Sequence, residues 1–200
     1  NCFDQLRRDI DSSGTVEGMD AFNQEAFDVI ASNKLLSALD YKKENPKVIE
    51  SYGSKNRNYL LARRLVEAGT RFVTLSTGGW DTHGDNFNKC RKSLLPNLDQ
   101  GVGTLVEDLS ERGMLDDVTV VVWGEFGRTP RINKNAGRDH WSRVMSVFMA
   151  GGGMNNGQVI GSSDRHGGEP SERPVRLGEV FSTIYRNCGI DSSTLQFDDL

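Results

Sequence analysis

The chain has 200 residues, 36% of them hydrophobic and 26% charged, with a formal net charge of −4. That length suffices for one domain with its own hydrophobic core, and mixed charges without a basic groove argue against a nucleic-acid partner. No window supplies the roughly 18 apolar residues of a membrane span. Cys2, Cys90 and Cys188 include no CxxC pair, so they make neither a disulfide framework nor a thiolate zinc site. Cys90 and Cys188 read as small buried hydrophobes.

Residues 1–18 are polar and broken by Ser12-Ser13-Gly14, as in a surface segment. The start, Asn1-Cys2-Phe3-Asp4, lacks a Met and a signal-peptide layout, so the chain is expected to be the C-terminal part of a longer protein. Asp20 to Ile30 carries apolar residues at helical spacing, and Leu35, Leu36 and Leu39 continue that face. The run should stop at Asn45-Pro46. Leu60, Leu61, Leu65 and Val66 mark another helix, with Gly69 as its stop.

Arg71–Ser76 reads as a strand that leaves through Thr77-Gly78-Gly79-Trp80-Asp81-Thr82-His83. Leu94–Arg112 reads as a long helix with Leu98, Val102, Leu105, Val106 and Leu109 as its stripe, closed by Gly113. Val118–Trp123 is almost wholly apolar, the pattern of a parallel strand covered on both faces. Arg143–Ala150 reads as a third strand and Val180–Cys188 as a last helix, with Phe181, Ile184 and Tyr185 inward. The order predicts an α/β fold over residues 1–200: one domain with a mainly parallel central sheet and helices on both faces. The long segments 124–142 and 151–176 follow strand ends, where such sheets place ligands.

All three histidines lie in strand-flanking loops: His83 after Arg71–Ser76, His140 in 124–142 and His166 in 151–176. Asp81 and His83 are two apart on a turn; they are either a solvated pair or two ligands for one ion, with Zn²⁺ or Mn²⁺ matching imidazole plus carboxylate. Glu125 leaves a buried strand, so it either pairs with Arg128 or Arg131 or serves as a ligand or general base. In the second case Arg128 and Arg138 are available to an anionic substrate. Trp80 and Trp141 either wall the cleft or anchor the two loops. No GxGxxG, P-loop or GxSxG string is present, which leaves dinucleotide, nucleotide and serine-hydrolase readings without support.

Gly79-Trp80-Asp81-Thr82-His83, Gly124-Glu125-Phe126-Gly127-Arg128-Thr129-Pro130 and Gly137-Arg138-Asp139-His140-Trp141 resemble a bacterial family numbered 1501 among domains of unknown function, related to alkaline phosphatases and sulfatases. Leu61–Gly69 and Ala150-Gly151-Gly152-Gly153 resemble it too. The resemblance implies an alkaline-phosphatase-like sheet and a metal-assisted hydrolytic centre at its carboxyl edge. It implies metal ligands at Asp81, His83, Glu125 and His140, a small phosphorylated or sulfated ester as substrate, and an exported or periplasmic protein.

Three departures bear on this. The superfamily's first loop spaces Asp and His four apart, its second reads Asp-His where this chain has Glu125-Phe126, and its first acid and nucleophile lie far upstream. Nothing in residues 1–70 resembles their strand-end motif, so the chain is expected either to hold one metal rather than two or to be the back half of an active site whose front half has been removed. The leading expectation is a metal-dependent hydrolase-like protein acting on phosphate or sulfate esters, with Glu125, Arg128 and Arg138 in catalytic roles. The alternative is a non-catalytic binding or structural module that keeps the fold with a degenerate metal site.

Overall fold

Asn45 and Pro46 start a helix. The Asn45 side chain accepts the Lys47 N–H at 3.0 Å, and Pro46 takes the first helical position, where its missing N–H costs nothing. The preceding helix has already ended at Leu39, so the proline is a beginning where a stop was expected. The computed structural model describes residues 33–191, with Asn23, Asp28 and Ser193. The helix expected over Asp20–Ile30 lies outside the described residues except for Asn23 and Asp28, both helical. The chain divides into two units, Asn1–Thr77 and Gly78–Leu200.

In the first unit, α1 (Asn33–Leu39), a 3₁₀ turn (Tyr41–Lys43), α2 (Pro46–Tyr52) and α3 (Arg57–Glu67) follow one another. Ala38, Tyr52, Tyr59, Leu60 and Ala62 are buried. Arg63 is buried with them, and its guanidinium meets Glu44 at 2.5 Å and Glu67 at 2.6 Å. Arg64 reaches the same Glu44 oxygen at 2.9 Å and donates to the carbonyls of Ser37 and Ala38 at the C-terminal end of α1. Burial pushes the Glu44 carboxyl up, but the bonds from Arg63, the Asn45 N–H and Arg64 outweigh it and hold it at about 2. Gly69 closes α3 with a positive φ of 104°; its N–H bonds Val66 and the Thr70 N–H bonds Leu65, a Schellman closure.

Arg71–Ser76 is not a strand. Its residues have no ladder partner among the described residues, and Phe72 is 72% exposed. β-branched and aromatic composition makes a segment fit for a sheet, but pairing makes the strand.

In the second unit, α4 (Asn86–Lys89), a π turn (Cys90–Leu94) and α5 (Leu95–Glu111) form one helical run that starts well before the expected Leu94. The widened turn ends just before Leu95-Pro96, and the Pro96 ring nitrogen cannot bond the carbonyl four residues back. Leu105 and Leu109 are the buried part of the stripe, and the buried Asp108 binds Arg112 at 2.7 Å.

The apolar strand is β1 (Thr119–Val122), and the run Arg143–Ala150 shortens to β4 (Phe148–Gly151). They pair antiparallel, with Val120 opposite Ala150 and Val122 opposite Phe148. Val120 and Ala150 are buried, whereas Val121 and Val122 are only half-buried. The described residues are therefore mixed helix and strand with small antiparallel sheets, and the expected parallel central sheet is corrected. The reason lies between the two strands. A parallel return needs a crossover, usually a helix, and residues 123–147 contain none. They contain instead a short ribbon, β2 (Gly127–Arg128) paired antiparallel with β3 (His140–Trp141), within the segment read as plain loop.

The last helix, α6 (Leu177–Asn187), starts three residues before the expected Val180. Glu179 accepts the Arg176 N–H at 2.8 Å and fixes the start. Val180 is buried; Phe181, expected inward, is exposed and meets Trp123 edge-on with ring centres 5.8 Å apart. Cys90 and Cys188 are free thiols, the first half-buried and the second exposed, which corrects their reading as buried hydrophobes. No described helix is long and apolar enough to cross a membrane.

Candidate metal centre

Thr82 explains why Asp81 and His83 act together. Its side chain is buried and donates to Asn86 at 2.5 Å, while its carbonyl accepts the Arg138 N–H at 3.1 Å. The Thr82 N–H also bonds the Trp80 carbonyl at 2.9 Å, so Asp81 is the centre of a tight turn, and the Asp81 and His83 side chains on either side of the buried Thr82 are both open to solvent. The spacing of Asp81 and His83 thus places both on one face.

The β2–β3 ribbon supplies the rest. Arg128 lies opposite His140 in its register, and side chains directly opposite share a face. Both converge on Asp81: its Oδ1 is 3.0 Å from an Arg128 nitrogen and 2.9 Å from His140 Nε2. His83 Nε2 is 2.9 Å from the same oxygen and 3.1 Å from His140 Nε2. Asp81, His83 and His140 thus offer three ligand atoms within 4.8 Å of one another. Hydrogen bonds from His140 and Arg128 hold the Asp81 carboxyl down at about 2 although it is exposed, so it is an anion throughout the neutral range.

The proton count at this point is short. His83 Nδ1 lies 2.6 Å from Asp139 Oδ1, and a carboxylate there can only accept. Both His83 nitrogens therefore meet a carboxylate, and in neutral His83 the shorter contact favours the proton on Nδ1, which leaves Nε2 as a lone pair facing Asp81 and His140. A proton shared from His140 Nε2, a second proton on His83, or a cation among the three atoms makes their approach favourable. Metal–ligand bonds of about 2.0–2.2 Å with octahedral to tetrahedral angles separate neighbouring donors by about 2.8–3.6 Å. The three observed separations, 2.9, 2.9 and 3.1 Å, lie in that range.

Glu125 is exposed and stands outside this group. Its neighbour Phe126 packs on the His140 ring, with centres 4.3 Å apart, and the Arg128 guanidinium lies over the other ring at 5.9 Å. Arg128 also donates to the Trp80 carbonyl at 2.9 Å. Arg138 donates to the carbonyls of Thr129 and Pro130 at 2.6 and 2.8 Å and lies over Phe87. Both arginines are engaged in holding loops. Trp141 anchors its loop by donating to the Gly168 carbonyl at 2.8 Å. His166 is exposed, in a turn organised by Asp164, and does not join the group.

Two residues without an assigned role in the sequence reading touch the centre. Asn133 donates to the His83 carbonyl and to Asp139 Oδ1, each at 3.0 Å. Asp139, whose carboxyl is held below its usual range by His83 and then Asn133, contacts the far nitrogen of His83. A signal for Asp139 was present: it stands between two candidate residues in Arg138-Asp139-His140. Asn133 carried none.

The sequence matches the family described as protein of unknown function, DUF1501, over residues 2–199. The chain belongs to the DUF1501 family. No curated protein and no solved structure matches it. Every residue of the centre lies within the DUF1501 match, so it is part of the family domain.

Proposed function

We propose that this DUF1501 chain is a metal-dependent, hydrolase-like protein of the alkaline-phosphatase and sulfatase kind, acting on small phosphate or sulfate esters outside the cytoplasm. The observation that carries the reading is the convergence of one carboxylate oxygen and two imidazole nitrogens, 2.9–3.1 Å apart, on an exposed loop surface. A single Zn²⁺ or Mn²⁺ fits that donor set. Bound there, it supplies Lewis acidity toward an ester oxygen and a more acidic water. Asp81, His83 and His140 are the ligands; Glu125, exposed beside Phe126, is the carboxylate available as an outer ligand or general base. Arg128 holds Asp81 in place, and Arg138 holds the ribbon loop.

Calorimetric titration with Zn²⁺ and Mn²⁺ tests the reading against a His83→Ala, His140→Ala double variant. One site is expected in the parent and none in the variant; equal binding in both ends it. A panel of aryl phosphates and aryl sulfates then tests the chemistry. Metal binding without turnover of any ester favours the second reading, a binding or structural module. That reading is supported by Phe126, which packs an apolar ring against His140.

A further inference from the structure

The two nitrogens of the His83 ring have different surroundings. Nε2 faces Asp81 and His140, and Nδ1 faces Asp139 at 2.6 Å. The backbone around Asp139 is fixed on both sides: its N–H donates to Thr129 Oγ1 at 3.0 Å, and its carbonyl accepts the Thr129 N–H at 2.9 Å. Asn133 joins the two partners with one side chain. Its amide nitrogen bonds both the His83 carbonyl and the Asp139 carboxylate, and its oxygen accepts the N–H groups of Asn135 and Gly137 at 2.9 and 3.0 Å. The loop lies so close to His83 that a Cβ at Gly137 would stand 2.1 Å from the His83 carbonyl.

We propose that Asp139, held by Asn133, is the positioning residue that fixes His83 as its Nδ1–H tautomer and so leaves Nε2 as the donor turned toward Asp81 and His140. Neutral imidazole carries one proton, and the partner of one nitrogen decides the state of the other. A carboxylate on the far nitrogen also fixes the ring plane and makes the near nitrogen more basic toward a cation. Asp139 touches none of the three converging atoms except through His83, so its effect is indirect. The inference rests on the metal reading only for the affinity it predicts, because the tautomer is a property of the chain without metal.

The test is nitrogen NMR of the histidine rings in the metal-free chain at about pH 9, where imidazoles are neutral, joined to Zn²⁺ titration. In the parent, His83 should show a protonated Nδ1 and an unprotonated Nε2. Asp139→Ala should release it toward the Nε2–H form that free imidazole side chains prefer, and weaken Zn²⁺ about 10–100-fold. Asp139→Asn, which keeps an acceptor oxygen without the charge, should retain the tautomer and recover part of the affinity. A parent His83 protonated on Nε2 overturns the inference, and that measurement needs no variant to fold. A parent that does bind Zn²⁺, but no more tightly than Asp139→Ala, overturns it as well. A parent with the expected tautomer that binds no metal leaves the positioning role standing and removes the metal reading.

Discussion

Arg128 and Asp81 meet at 3.0 Å, and the same guanidinium nitrogen holds the carbonyl of Trp80, the residue before Asp81. The arginine therefore grips both the backbone and the side chain of the ligand loop. Replacing it by Met keeps an unbranched stem of similar volume and removes the charge and the donors. Asp81 has its acidity set first by His140 and then by Arg128, so its carboxyl should rise from about 2 toward its ordinary 3.8 without reaching it. Carbon NMR titration of the Asp81 carboxyl reads this directly. An unmoved midpoint would mean that Arg128 serves the loop alone.

Gly137 is a position where a methyl group has no room. Its added Cβ would fall 2.1 Å from the His83 carbonyl carbon and oxygen and 2.5 Å from the Gly84 nitrogen, all of them backbone. Backbone cannot swing aside as a side-chain tip can, so Gly137→Ala should push the 133–137 loop away from His83. A cost of about 1–3 kcal/mol is expected by chemical denaturation, together with a weaker Zn²⁺ site. A variant as stable as the parent would show that the loop moves freely.

Glu44 gives the first unit a pH dependence of definite sign. Its carboxyl is held at about 2 against an ordinary 4.5. A depressed folded-state value stabilises above the unfolded value, and that contribution drains away as pH falls from about 4.5 to about 2. Glu44→Gln should remove it, flattening stability against pH in that window and costing about 1–2 kcal/mol at neutral pH after solvent screening is allowed for. The cost arises because the buried Arg63 loses one of its two carboxylate partners. Parallel curves for parent and variant would refute this.

Much of the centre was readable in the chain and much of the sheet was not, for separable reasons. Asp81 and His83 could be paired from their spacing because a tight turn about a buried Thr82 is a local property. That His140 reaches them depends on the pairing of Gly127-Arg128 with His140-Trp141, which two-residue strands do not announce; the resemblance supplied it. The antiparallel return of β4 beside β1 was legible after all, in the absence of any helical period between Trp123 and Phe148. The apolar character of Val118–Trp123 drew the reading toward a buried parallel strand instead. Arg71–Ser76 failed for the opposite reason: its composition suits a sheet, and composition says nothing of a partner.

The sheet correction changes what a core truncation should do. Val120 is 9% exposed and opposite the buried Ala150, while Val121 and Val122 are half-buried. Val120→Ala should cost about 1–2 kcal/mol by lost burial and a small cavity, and Val122→Ala clearly less. Equal losses in urea denaturation would point to a strand covered on both faces.

Phe126 occupies a place where an imidazole would be chemically useful. Its ring centre is 4.3 Å from that of His140, which is itself 4.7 Å from that of His83, so the three rings form one chain. Phenylalanine offers the cluster no lone pair; it contributes packing against His140 and a face for Arg128. Phe126→His would keep a flat ring on His140 and add a nitrogen next to the exposed Glu125. A third imidazole moves the donor set closer to the nitrogen-rich sets that hold Zn²⁺, and preference should shift from Mn²⁺ toward Zn²⁺. Titration of both ions should show Zn²⁺ binding tightened about 10-fold and Mn²⁺ little changed, with Co²⁺ absorption reporting an added nitrogen ligand. Zn²⁺ binding that stays the same or weakens would mean that the Phe126 ring points away from the converging atoms and serves His140 through packing alone.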